Sequence, residues 1–141
     1  MRTLFIILAL VAVVSYAYDP VFIDELKDIV PDKNDKKELK KLDKDKDMIR
    51  SEKKQKLDVI LARQTDSIKK LFEIEVQRTL LKHQMKMEKK MAVDDPAVRE
   101  YWQKVEEINK DMSISQRQAD KKIKELKEKL TPEQRRLLKK H

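Results

Sequence analysis

Val105-Glu106-Glu107-Ile108-Asn109-Lys110-Asp111-Met112-Ser113-Ile114-Ser115-Gln116-Arg117-Gln118-Ala119 runs on to Ile123, Leu126 and Leu130, then to Thr131-Pro132-Glu133-Gln134 and Leu138. Three helical segments are punctuated here by two caps. Ser115 and Gln118 stand three apart, the spacing of a capping box, with Ile114 and Ala119 placed as its hydrophobic staple. Ser113 and Gln116 offer the same box two residues earlier. Ala119, Ile123, Leu126 and Leu130 follow at four-three-four spacing, the narrow apolar seam of a helix that packs on other helices. Thr131 and Gln134 repeat the box around a first-turn proline, and the helix they open has only Leu137 and Leu138 to bury. The stretch predicts an all-α fold.

Upstream, Asp94-Asp95-Pro96 sets another cap and first-turn proline. Val98, Tyr101, Trp102, Val105 and Ile108 line one face of the helix it starts, with Trp102 read as core. Residues 49 to 91 carry a long helical pattern. Unbroken, it would exceed the span of a compact domain of this length, whose radius of gyration is about 14 Å. The polar run Gln64-Thr65-Asp66-Ser67 predicts the break, with one helix to Ala62 and another from Ser67 to Met91. Met85 and Met87, two apart, cannot both face one core. Asp19-Pro20 reads as the cap and first turn of a short amphipathic helix through Phe22, Ile23, Leu26, Ile29 and Val30, stopped by Pro31. Between them, residues 32–47 alternate lysine with acid around Leu39 and Leu42, and read as a solvated linker or a weak short helix around Asp35 to Leu42. The expectation is a small bundle of five to six helices without a sheet. It divides into a leader over 1–17, a short helix and charged linker over 18–48, and a helical domain over 49–141.

The leader rests on Arg2, the apolar run from Leu4 to Val14, and Ser15-Tyr16-Ala17 as a cleavage site. The run is shorter than the roughly 20 residues a membrane span needs. It predicts secretion, with the mature chain starting at Tyr18 and no transmembrane segment after cleavage. The chain has no cysteine and no glycine, so no disulfide framework or thiolate metal site is available. Packing must hold the fold together, although 43% of the residues are charged. The net charge is +8, and residues 115–141 alone carry ten Lys and Arg against four acids. That excess suits an anionic surface partner or plain solvation. Nucleic acid is disfavoured, because no aromatic residues stand among these basic ones.

No catalytic motif is present. His83 and His141 have no nucleophile or orienting acid at an informative spacing, so the chain reads as non-enzymatic. Asp43, Asp45 and Asp47 alternate as in a calcium loop, but Met48 stands where glycine is needed and Lys54 where glutamate is needed. Oxygen ligands for magnesium or calcium are sought instead at Asp94, Asp95 and Asp111, the candidate metal residues. Phe72, Met85, Met91 and Trp102 would build an apolar-ligand site if they met.

The order Val105-x-x-Ile108, the polar Asp111-Met112-Ser113-Ile114 turn, Lys122-Ile123, Leu126, and Leu130 followed by a proline-led helix resembles the nematode SXP/RAL family. The helix from Leu57, the polar break and the charged helix through Phe72 to Met91 are similar in layout. The resemblance covers about Leu57 to Leu138. It implies a secreted, helical, allergen-like protein without enzymatic activity, with a possible magnesium or calcium ligand. A rival resemblance lies in Leu130-Thr131-Pro132-Glu133-Gln134, which is similar to the Leu-Thr-x-x-Gln motif of bacterial periplasmic helical chaperones. It implies binding of unfolded clients.

Overall fold

The computed structural model describes residues 18–140; the expected leader lies outside the described residues. Among them are seven helices and no strand. They are α1 (Ile23–Lys27), α2 (Lys33–Lys44), α3 (Arg50–Ala62), α4 (Asp66–Met91), α5 (Pro96–Lys110), α6 (Gln116–Glu128) and α7 (Pro132–Leu137). The fold is all-α, with one helix more than the expected upper count. No helix of the described residues is long and apolar enough to cross a membrane.

Four helices open on caps that the sequence offers, α4 one residue earlier than expected. Thr65 Oγ1 accepts from Ile68 N and opens α4, so the break falls between Ala62 and Asp66. Asp95 Oδ1 accepts from Ala97 N and Val98 N at the start of α5. Ser115 with Gln118 and Thr131 with Gln134 both form complete capping boxes. Ser113 is not a cap; its amide and hydroxyl both donate to Asp111 Oδ1.

Two expectations need correcting. Of the two readings of residues 32–47, the helix holds and the linker does not, and the helix is longer than a weak turn, running Lys33–Lys44. Asp32 Oδ1 accepts from Asn34 N at 2.8 Å and Asp35 N at 2.9 Å, and Leu39 and Leu42 are buried. Two leucines suffice because other elements close over them. The first helix is also shorter and later than its apolar pattern suggests. Asp19 caps a turn rather than a helix, taking Val21 N on Oδ1, and α1 begins only at Ile23. Phe22 bridges the two in the left-handed region, φ 62° and ψ 40°. That conformation costs a non-glycine residue about 1–2 kcal/mol. It lets Val21 and Ile23, on either side, both enter the core.

There are two cores. In the first, Val21, Ile23, Leu26, Val30, Leu39 and Leu42 pack with Leu57 and Ile60 of α3, so segments 18–48 and 49–141 both contribute. In the second, Val98, Tyr101, Trp102 and Val105 of α5 pack with Leu130 and Leu138, flanked by Ile123 and Leu126 of the α6 seam. Helix α4 runs between them for 26 residues, about 39 Å. Phe72 packs on the first core; Met87 and Met91 pack on the second.

The cores are also tied through two equivalent helix–loop–helix units, α2–α3 and α5–α6. Their loops meet in a single antiparallel bridge between Ile49 and Ser115. Ser51 N donates to Met112 O at 2.9 Å, and Arg117 N returns to Lys46 O at 3.0 Å. Asp45 and Asp111 occupy matching places, each accepting on Oδ1 from the amide two residues on. Each loop is far shorter than a 12-residue calcium loop.

Candidate interaction surface and the cleft behind it

The joint between the two units is built on Arg50, the first residue of α3. Its side chain is buried, 2% exposed. Nη1 donates to Ile108 O at 2.7 Å and Asp111 O at 3.0 Å, and Nη2 donates to Gln116 Oε1 at 3.2 Å. The guanidinium therefore closes the C-terminus of α5, where carbonyls lack intrahelical donors and the helix dipole favours a cation. Burial pushes the guanidinium pKa down, while Asp19, Asp111 and Asp120 pull it back up. Hydrogen bonds from Ser113 hold the Asp111 carboxyl below its usual range.

A cleft of about 310 Å³ opens between the N-terminal segment, α4 and α5. The Tyr18 ring stacks on His83 with centroids 4.0 Å apart. His83 Nε2 lies 2.6 Å from Glu106 Oε2, an acid on the next helix that the sequence does not reveal as a partner. The Thr79 hydroxyl donates to Glu25 Oε1 at 2.8 Å, and Lys90 sits 4.1 Å over the Trp102 ring. Burial, aided by Glu106, Asp19 and Glu25, pushes the Tyr18 phenol up; burial also raises the Glu25 carboxyl and lowers the Lys90 ammonium. These groups satisfy one another across the seam between the cores. The cleft thus reads as a polar junction of mixed charge, and the Thr79 hydroxyl is engaged by a carboxylate rather than by His83.

The opposite side of α4 is different. No residue of α4 is fully buried. Phe72, Thr79, His83 and Met87 turn inward, to contacts already described. On the far face Leu71 (39% exposed), Ile74 (55%), Leu81 (59%) and Met85 (53%) form an apolar stripe. Helix geometry at 3.6 residues per turn puts this stripe almost diametrically across from the packed one. Helix α4 is therefore apolar on two faces, only one of which the described residues use.

The sequence-derived candidates fall apart in space. Asp94 and Asp95 stand before α5 and Asp111 after it, with a 15-residue helix, roughly 22 Å, between them. Asp95 is engaged as the α5 cap, with Oδ2 also taking Gln134 Nε2 at 3.4 Å. Among the described residues no group of three or more His, Cys, Asp or Glu side chains could hold a metal ion. Asp47 pairs with Arg117 Nε at 2.7 Å. The proposed apolar-ligand quartet also separates: Phe72 belongs to the first core, Met91 and Trp102 to the second, and Met85 faces outward.

Comparisons with protein-family models, with curated proteins and with solved structures found no match.

Proposed function

We propose that this is a secreted, non-enzymatic helical interaction protein whose working surface is the outer face of α4. One observation carries the reading: four large apolar side chains exposed along one face of a two-faced helix. An exposed apolar stripe on one helix face, here interrupted only by Arg78, marks a place where something docks. The secreted address and the likeness to the SXP/RAL family rest on the leader and on the motifs of residues 57–138, and they fit a binding role. Magnesium or calcium binding is a separate proposal of that likeness, tested by calorimetric titration at millimolar ion; absence of heat would remove it.

Met85 supplies the test of the surface. It is exposed, whereas Met87 and Met91 are half-buried against the second core. In dilute purified protein Met85 should be oxidised by peroxide faster than either. In the native fluid, where a partner covers the stripe, its oxidation should slow several-fold. Equal Met85 rates in the two settings would remove the reading.

A second reading is favoured by Lys70, Lys82 and Lys89, all exposed beside the stripe. Apolar contact with a basic rim suits capture of unfolded, acidic clients, as the chaperone resemblance implies. Suppression of client aggregation that disappears in Leu81→Glu would support it. No suppression at stoichiometric protein would remove it.

A further inference from the structure

Resting on the reading of α4 as an interaction surface, we infer that the occupant of its outer face is α4 of a second copy of this chain, paired antiparallel. Positions 71, 74, 78, 81 and 85 follow alternating steps of three and four, the seam spacing of paired helices. Leu71, Ile74, Leu81 and Met85 fill four of them, and Arg78 fills the middle one, held to Glu75 at 3.3 Å. The seam stops short of either helix end, so the contact is centred on α4.

Charge selects both direction and register. A parallel pair would set Arg78 against Arg78 of the second copy inside the seam, two like charges at one core layer. Antiparallel pairing removes that clash. With the two-fold axis between Thr79 and Leu80, Ile74 meets Met85 of the second copy, and the aliphatic stem of Arg78 lies along Leu81 of the second copy. The flanking position Glu75 then meets Lys82 of the second copy, and by symmetry the pair occurs twice. Sliding one helix by seven residues would oppose Glu75 to its own copy and set Ser67 against Met85. In the unshifted register Ile74 meets Met85 and Glu75 meets Lys82, while Leu71 lies opposite Glu88 of the second copy; a slide of seven residues either way brings Glu75 or Lys82 against its own copy. The packed face of α4 stays with its own chain, so dimerisation needs no rearrangement of either core.

Sedimentation of the purified protein from low micromolar to near-millimolar concentration tests this. The expected result is a reversible monomer–dimer equilibrium that Leu81→Lys, which sets a second cation against Arg78 of the other copy, abolishes while leaving thermal unfolding of the monomer nearly unchanged, since Leu81 is exposed. Glu75→Lys and Lys82→Glu should each weaken the dimer about tenfold, and the double exchange should restore it. Residues 75 and 82 lie two helical turns apart within one chain, beyond contact, so restoration reports a pair between copies. A monomer at every concentration, a dimer indifferent to Leu81→Lys, or a double exchange weaker than both single variants would overturn the inference. A monomeric protein whose Met85 is nonetheless protected in its native fluid would sink the self-pairing and leave the interaction reading standing. Equal Met85 oxidation in both settings would sink the interaction reading itself.

Discussion

Arg50 donates to the backbone oxygen of Asp111 at 3.0 Å, joining the first residue of α3 to the residue that ends α5. The same guanidinium holds Ile108 O and Gln116 Oε1, so one side chain serves three acceptors at the joint of the two helix–loop–helix units. Removing it leaves Asp111 O and Gln116 Oε1 without this donor in a partly buried site, while Ile108 O keeps the amide of Asp111. Arg50→Met, which keeps most of the volume, should cost about 3 kcal/mol of stability, since each stranded buried acceptor costs roughly 1–3 kcal/mol. Arg50→Lys should recover only part, because a single ammonium lacks the planar fork that spans three oxygens. Urea unfolding of the two variants checks this. A loss under about 0.5 kcal/mol for Arg50→Met would show that the joint is held elsewhere.

Leu39 lies on α2, in a run of lysines and acids, and is fully buried in the first core. If α2 is a structural helix, Leu39→Ala opens a cavity under α1 and α3 and should cost about 3 kcal/mol. A solvated linker would lose almost nothing. Amide exchange should show the loss spread over α1, α2 and α3, with α5 and α6 less affected, because Leu39 belongs to the first core only. Uniform loss of protection across all helices would mean that the two cores unfold as one unit.

Asp19 and Glu25 predict an unusual pH response near the N-terminal segment. Burial raises both carboxyls above their ordinary values of 3.8 and 4.5, against the lowering effect of backbone hydrogen bonds and, for Glu25, of Thr79. The native state therefore binds their protons more tightly than the unfolded chain does. Their stabilising contribution is fully present below the ordinary values and is lost as pH rises through the raised ones. Glu25→Gln keeps an acceptor for Thr79 and removes the charge. Its melting temperature should exceed that of the wild type at neutral pH, modestly because Glu25 is half-exposed, and the gap should close below about pH 4.5. A variant that is less stable than the wild type at neutral pH would contradict the desolvation account.

What the sequence shows and hides follows from the range of each interaction. Caps are local, so Thr65, Asp95, Ser115 and Thr131 could be read from residues three positions away. The α6 seam was legible for the same reason. Helix α2 was hidden because its charged composition argued for solvent, and only burial by distant α1 and α3 makes two leucines enough. The left-handed Phe22 has no local signal, since its cost is offset by burying Val21 and Ile23. Nothing local singles out Arg50, because its acceptors all lie beyond residue 107. The stripe on α4 was blurred by its own inner face: apolar residues on both sides of a helix read as one drifting pattern until packing shows which side is used.

The basic excess after Ser115 makes the last prediction. Lys121, Lys122, Lys124, Lys127 and Lys129 are all exposed on α6 or just beyond it, while Ile123 and Leu126 turn toward the second core. The charge is therefore presented outward on a helix anchored from behind. Such a face should be drawn to an anionic lipid surface with no apolar insertion, so the attraction should be purely electrostatic. At 0.1 M salt the screening length is about 10 Å, and at 1 M about 3 Å, shorter than the reach of a lysine from its helix. The protein should be retained on vesicles containing anionic lipid at low salt, released at high salt, and ignored by neutral vesicles throughout. Lys121→Glu with Lys124→Glu should abolish retention with little change in thermal stability, because both side chains are exposed and neither makes an ion pair among the described residues. Equal retention on anionic and neutral vesicles at low salt would show that these lysines only keep the helix in solution.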